Sequence, residues 1–189
     1  AALLIALADI GGVWPVMRAT RALTELADTA VDAAVRFALS EAARAGRLNP
    51  KDKANPQLDS GYIVLAMGKM GGFELNYSSD IDLIVFFEPE LMRLKSGVEP
   101  TGFFVRMTRD LVKLMQERTA DGYVFRTDLR LRPDPGATQV AIATPAALNY
   151  YESFGQNWER AALIKARPIA GDIEAGQAFV ATPIASMRP

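Results

Sequence analysis

The chain has 189 residues, half of them hydrophobic, with 21 basic against 22 acidic side chains. That supports one sizeable core and leaves no bulk charge to draw the chain onto nucleic acid or an acidic membrane. Cysteine and histidine are both absent. Disulfides, thiolate metal sites and imidazole chemistry are therefore excluded, and the lack of cysteine fits the cytoplasm. Acid–base and metal work falls to carboxylates, lysine, tyrosine or a cofactor.

The chain opens at Ala1 inside an apolar run and closes at Arg188–Pro189, which reads as a fragment of a longer protein. The run 1–10 is too short to span a bilayer, is interrupted by Asp9 and lacks the basic start of a signal peptide, so a buried helix end is expected. Residues 20–45 place Leu23, Leu26, Ala30, Ala34, Phe37 and Ala38 at helical spacing, with Gly46 as the stop. The prolines and asparagines of 47–61 predict a loop. An apolar strand is expected over 62–67, a turn-rich connection over 68–79, and a second strand over 80–87. After a loop over 89–100, Phe104, Met107, Leu111, Leu114 and Met115 form one stripe of a helix over 101–118. A third strand is expected over 123–131 and a loop over 133–136. Thr144–Pro145 then starts a helix, broken at Gly155, that runs to Arg167 and ends at Pro168. This order predicts an α+β fold, a small mixed sheet flanked by helices. The expected organisation is a helical segment over 1–46 packed on a core over 62–172, with a following helical region beginning over 173–189.

The chemistry concentrates around the second strand. Asp80 and Asp82 are two residues apart on an otherwise apolar strand, so both carboxylates project to one face and Ile81 and Leu83 to the other. Paired carboxylates repel, and a hard divalent cation removes that penalty; oxygen ligands suit magnesium or manganese. Asp128, in a similar setting on the third strand, joins the pair if the two strands are neighbours. Three carboxylates suffice for a two-ion site of the kind used in phosphoryl and nucleotidyl transfer. Before Asp80, Gly68-Lys69-Met70-Gly71-Gly72 follows a strand, and Ser78 and Ser79 add hydroxyl donors. Such a turn lets backbone N–H groups approach phosphate, although its spacing is not that of a Walker A loop.

A bland reading accompanies each residue. Asp80 and Asp82 can be a strand-edge pair capping a turn, Asp128 can pair with Arg126 or Arg130, which share its face, and Lys69 can be an exposed turn lysine. Glu74 and Asn76 are read as shaping the loop. Arg130 and Arg132 form either a basic wall for phosphate or a charged edge that keeps a strand soluble. Glu159, Arg160, Lys165 and Arg167 form either a solvated charge network or, for the last two, a phosphate-facing pair. Tyr151, Phe154 and Trp158 are expected in the core.

The glycine turn followed by Asp-x-Asp resembles the DNA polymerase β-like nucleotidyltransferase superfamily. Three stretches are similar to the glutamine-synthetase adenylyltransferase/adenylyl-removing enzyme family: Ala66-Met-Gly-Lys-Met-Gly-Gly-Phe-Glu-Leu-Asn-Tyr-Ser-Ser-Asp-Ile-Asp-Leu83, Asp128-Leu-Arg-Leu-Arg-Pro133 and Trp158-Glu-Arg-Ala-Ala-Leu-Ile-Lys-Ala-Arg167. The resemblance implies a polymerase β-like fold, with Asp80, Asp82 and Asp128 as ligands of Mg2+ or Mn2+. It places Gly68, Lys69 and Ser79 at the phosphate-facing turn. That family has two similar domains with opposite activities: one removes AMP from a tyrosine of glutamine synthetase by phosphorolysis, releasing ADP, and the other transfers AMP from ATP to that tyrosine. Ser-Ser-Asp-Ile-Asp-Leu and Tyr-Tyr-Glu-Ser-Phe-Gly-Gln-Asn-Trp-Glu-Arg look more like the removing domain. Transfer from ATP, or a catalytically silent sensor of nucleotide or partner, stay open as alternatives. The resemblance also implies glutamine synthetase as protein substrate and control by a PII-type nitrogen regulator.

Overall fold

The computed structural model describes residues 1–182, and two apolar strands organise it. β1 (Tyr62–Ala66) and β2 (Ile81–Phe87) pair antiparallel, from Tyr62 opposite Phe87 to Ala66 opposite Leu83. Every residue of both strands is buried except Asp82, so both faces of this pair are covered. Tyr62, Val64, Ala66, Ile81, Leu83, Val85 and Phe87 belong to one core cluster, and Ile63, Leu65, Ile84 and Phe86 to a second on the opposite face. The sequence continuity of these hydrophobic runs follows directly from that two-sided burial.

The first cluster is covered by α2 (Val16–Arg44) and α4 (Pro100–Gln116). Phe104 is stacked between Tyr62 and Phe87, with ring centroids 5.5 and 5.1 Å away. The buried stripe of α2 runs through Ala19, Leu23, Ala27, Val31, Val35 and Leu39, one position off the expected row, and Phe37 is exposed. The alanine-rich composition hid this phase, because apolar residues occur all round the helix. On α4 the expected stripe is observed except at Leu114, which is exposed.

The second cluster is closed by α5 (Thr144–Ser153), α6 (Asn157–Leu163) and α7 (Ile173–Val180). Thr144 does not cap α5. Its backbone is already helical, and its hydroxyl donates to Glu88 Oε2. The expected long helix ends earlier than the sequence pattern suggested. Residues 167–171 form β5 (Arg167–Gly171), antiparallel to β1, where a helix followed by a Pro168 stop was expected. Pro168 is tolerated there because β5 is an edge strand with an irregular register.

The third expected strand is much shorter. β3 comprises Thr127–Asp128 alone, parallel to the start of β2, and β4 (Ile142–Ala143) runs parallel to its end. The sheet is therefore mixed, ordered β3-β2-β1-β5 with β4 beside β2. Residues 68–79, expected as turns, include a single helical turn, α3 (Gly68–Gly71). The opening helix α1 (Ala2–Ile10) forms as expected but is not buried: Leu3, Leu4, Leu7 and Ile10 are exposed and only Ile5 is covered. No helix among the described residues is long and apolar enough to cross a membrane. Of the region expected over 173–189, α7 packs on the second cluster through Phe179, and residues 183–189 lie outside the described residues.

Candidate active site

The parallel pairing of β2 and β3 places Asp82 directly opposite Asp128, with Ile81 opposite Thr127. Asp80 immediately precedes β2, where the N–H of Ile81 donates to the carbonyl of Arg126. The three acids expected from sequence therefore gather at one end of β2. Their charges are felt at Asp82, whose carboxyl is pushed above the usual aspartate range by burial first, then by Asp128 and Asp80. Arg130 and Lys69 oppose that shift.

The other two acids are held by arginines. Asp80 receives Arg126 Nε at 2.5 Å, and Arg126 also donates to the carbonyl of Ser78. Asp128 is gripped by Arg130 through Nε and Nη2, at 2.9 and 2.5 Å from Oδ2, and accepts the Arg130 backbone N–H. These hydrogen bonds hold the Asp128 carboxyl below its usual range. Arg130 in turn is raised mainly by its bond to Asp128, with smaller contributions from Asp80 and Asp82. The guanidinium thus stands within electrostatic reach of all three carboxylates. Among the described residues, no three acidic side chains form a chelating cluster in this arrangement.

The glycine turn lies against the same end of β2. Gly68 has φ +52, and a Cβ there would come within 2.8 Å of Asp82 Oδ2, so glycine satisfies both the backbone conformation and the close approach. Lys69 is exposed beside it. Ser79, expected at the phosphate, donates its hydroxyl to Asn76 Oδ1 at 2.9 Å, and Ser78 uses the same acceptor. Asn76 is thus the loop-shaping residue the sequence suggested, and the Ser79 hydroxyl is occupied in forming that loop.

A scan of protein-family models matches residues 1–182 to the glutamate-ammonia ligase adenylyltransferase family. The chain belongs to this family. Among curated relatives, a bifunctional glutamine synthetase adenylyltransferase/adenylyl-removing enzyme of Bradyrhizobium sp. (strain BTAi1) is 63% identical over 181 residues, 96% of this chain and 18% of its own length. Similarly named proteins of Xanthobacter autotrophicus and Rhodopseudomonas palustris (strain CGA009) are 60% and 59% identical, covering 96% and 95% of the chain and 18% of their own lengths. The chain therefore spans 18% of the length of the curated relatives it matches.

Within this adenylyltransferase-family chain, several residues do other work than expected. Arg132 donates to the carbonyls of Leu129, Pro135 and Thr138 and so braces the 129–138 loop. Glu159 is not part of a solvated network. It is 3% exposed, forms a capping box with Gln156 and accepts the Tyr150 hydroxyl. Arg160 donates to the carbonyl of Tyr151. Tyr151 is buried as expected, but Phe154 and Trp158 are exposed. Lys165 pairs with Glu74 at 2.8 Å, and Arg167 pairs with Asp28 at 2.8 Å. Asp28, which pairs with Arg167, carried no motif signal, and Phe73 lay in the glycine-turn stretch without a role assigned to it; the fold brings both to Arg167.

Proposed function

We propose that this chain is a DNA polymerase β-like nucleotidyltransferase unit, with its core over 62–172, that removes AMP from an adenylylated tyrosine of glutamine synthetase by phosphorolysis. The observation that carries this reading is Asp82 in register with Asp128, with Asp80 and the Gly68 turn against it. A half-buried carboxylate facing two others is a poor arrangement for an anion alone and a good one for a hard divalent cation. The donor set therefore fits Mg2+ or Mn2+, held by Asp80, Asp82 and Asp128. When bound, such an ion supplies charge stabilisation at the transferring phosphoryl group.

The chain's own residues do the rest. Gly71, Gly72 and Glu74 donate their N–H groups to the carbonyls of Met67, Gly68 and Lys69. The opening amides of the turn, at Gly68 and Lys69, have no such intrahelical acceptor and are available to phosphate. Lys69 and Arg130 add positive charge at the same place. Inorganic phosphate is already an anion, so attack on the adenylyl phosphorus needs no strong base, which suits a chain without histidine. The bond formed joins phosphate to the adenylyl phosphorus, and the bond broken frees the tyrosine oxygen, giving ADP and tyrosine. The names of the relatives support glutamine synthetase as the protein substrate. Control by a PII-type nitrogen regulator and a cytoplasmic setting belong to the same reading.

The test offers the full-length protein adenylylated glutamine synthetase with phosphate, then unmodified synthetase with ATP. Asp80→Asn is expected to abolish ADP release and leave AMP transfer intact. Loss of transfer alone would assign the site to the opposite reaction, and loss of neither would remove it from catalysis.

A further inference from the structure

Phe73 has φ +58, a left-handed conformation that a bulky side chain rarely adopts. It is the first residue after the glycine turn, and two guanidinium groups stand over its ring. Arg167 stands 4.1 Å from the ring centroid and Arg21 4.7 Å. Each contact is attractive, because the ring face is electronegative. Arg167 also donates to the carbonyl of Met70, inside the turn, while a bidentate pair with Asp28 fixes it to α2. One residue further on, Glu74 pairs with Lys165. The turn itself presses on the same segment: a Cβ at Gly71 would collide with the carbonyl oxygen of Lys165, and one at Gly72 would lie 3.2 Å from its Cδ.

These contacts give the Lys165–Arg167 segment a role that its charge alone did not reveal. It braces the back of the glycine turn, whose front carries Gly68 against Asp82. A strained backbone persists where its surroundings overdetermine it, and here α2 and the start of β5 both grip the strained residue. We propose that Phe73, held by Arg21 and Arg167 over its ring, is the positioning residue that keeps the glycine turn in its phosphate-receiving geometry. The proposal rests on the reading that this turn receives the substrate phosphate. Neither arginine needs to touch substrate; both act through the ring and the Met70 carbonyl.

The test uses the full-length protein with Phe73→Gly, Phe73→Tyr and Arg21→Gln. Glycine removes the ring and relieves the backbone strain, so the fold is expected to survive. Its KM for inorganic phosphate is expected to rise roughly 10- to 100-fold, the cost of a small misplacement of a reacting group. The KM for adenylylated glutamine synthetase is expected to stay near wild type. Phe73→Tyr keeps the ring and is expected to restore phosphate KM, and Arg21→Gln, at an exposed side chain, is expected to give an intermediate value. Hydrogen exchange supplies an independent readout: the amides of Gly71, Gly72 and Glu74 are expected to exchange faster in Phe73→Gly, with α4 amides unchanged. Wild-type phosphate KM together with wild-type turn protection in Phe73→Gly would overturn the clamp. Equal impairment in Phe73→Tyr and Phe73→Gly would overturn the role of the ring. Asp82→Asn serves as the separate control: phosphorolysis that survives it would reject the proposed function, while the exchange result would still judge the clamp.

Discussion

Replacing Asp82 with asparagine is expected to stabilise the cation-free protein while abolishing its activity. Asp82 is half-buried opposite Asp128 with Asp80 nearby, and its carboxyl is raised by burial and by those two charges. A carboxyl raised in the folded state binds more protons there than in the unfolded chain. Stability therefore falls as pH rises through the window above the unfolded value, and the penalty persists at neutral pH. The substituted amide carries no charge, so the advantage of Asp82→Asn should be full near neutrality and vanish where Asp82 is protonated in both states, below about pH 4. Relieving a charge conflict adds about 0.5–2 kcal/mol. For a chain of 189 residues, each kcal/mol moves Tm by about 2–4 °C, so the variant should melt roughly 1–8 °C higher. A divalent cation reverses the ranking. At about 100 times its Kd an ion adds about 2.7 kcal/mol, or roughly 5–11 °C in the wild type, with a much smaller shift in the variant. Scanning calorimetry with chelator and then with manganese measures both effects. A variant less stable than wild type in chelator, or an equal manganese shift in both proteins, would refute the reasoning.

Further outcomes follow from individual contacts. Gly68→Ala must place a Cβ at φ +52 and 2.8 Å from Asp82 Oδ2. It should cost about 1–2 kcal/mol in strain and lower kcat/KM by displacing that carboxylate, as denaturation and turnover assays will show. Glu159→Ala removes the buried acceptor of the Tyr150 hydroxyl and the Gln156 N–H, and should destabilise by about 2–4 kcal/mol in a urea titration with m unchanged. Glu99 caps α4 by accepting the N–H groups of Gly102 and Thr101, which lower its pKa. Its contribution is present above the unfolded carboxyl pKa and is lost as pH falls through the depressed folded value. Glu99→Ala should therefore lower Tm at neutral pH, and the difference should close in acid melts.

The parts of the structure legible in the sequence were those whose physics is local. β1 and β2 announced themselves as short apolar runs, and Asp80 and Asp82 stood out because charge is costly in such a run. The glycine turn was legible because its run of glycines follows an apolar strand, and Gly68 there takes a positive φ. What escaped depended on distant partners. β3 kept only Thr127–Asp128, because pairing with the start of β2, and not residue propensity, decides where that strand ends. β5 looked like the end of a helix because Pro168 reads as a helix stop after the Thr144–Pro145 start. Antiparallel pairing with β1 overrode that pattern. The exposure of Trp158 and Phe154 could not be foreseen from their chemistry; the burial of Glu159 was missed although its capping box with Gln156 is a local pattern. Phe73 was invisible because nothing in its sequence neighbourhood marks a phenylalanine for a left-handed backbone.

The most direct measurement is anomalous diffraction from crystals of the protein equilibrated with manganese and ADP. Manganese density bounded by the carboxylates of Asp80, Asp82 and Asp128, with Arg126 and Arg130 moved off the acids they now hold, is the expected result. Density at other residues, or both arginines still bound to Asp80 and Asp128 at saturating manganese, would contradict the claim that this end of β2 is built to hold divalent cations beside a phosphate.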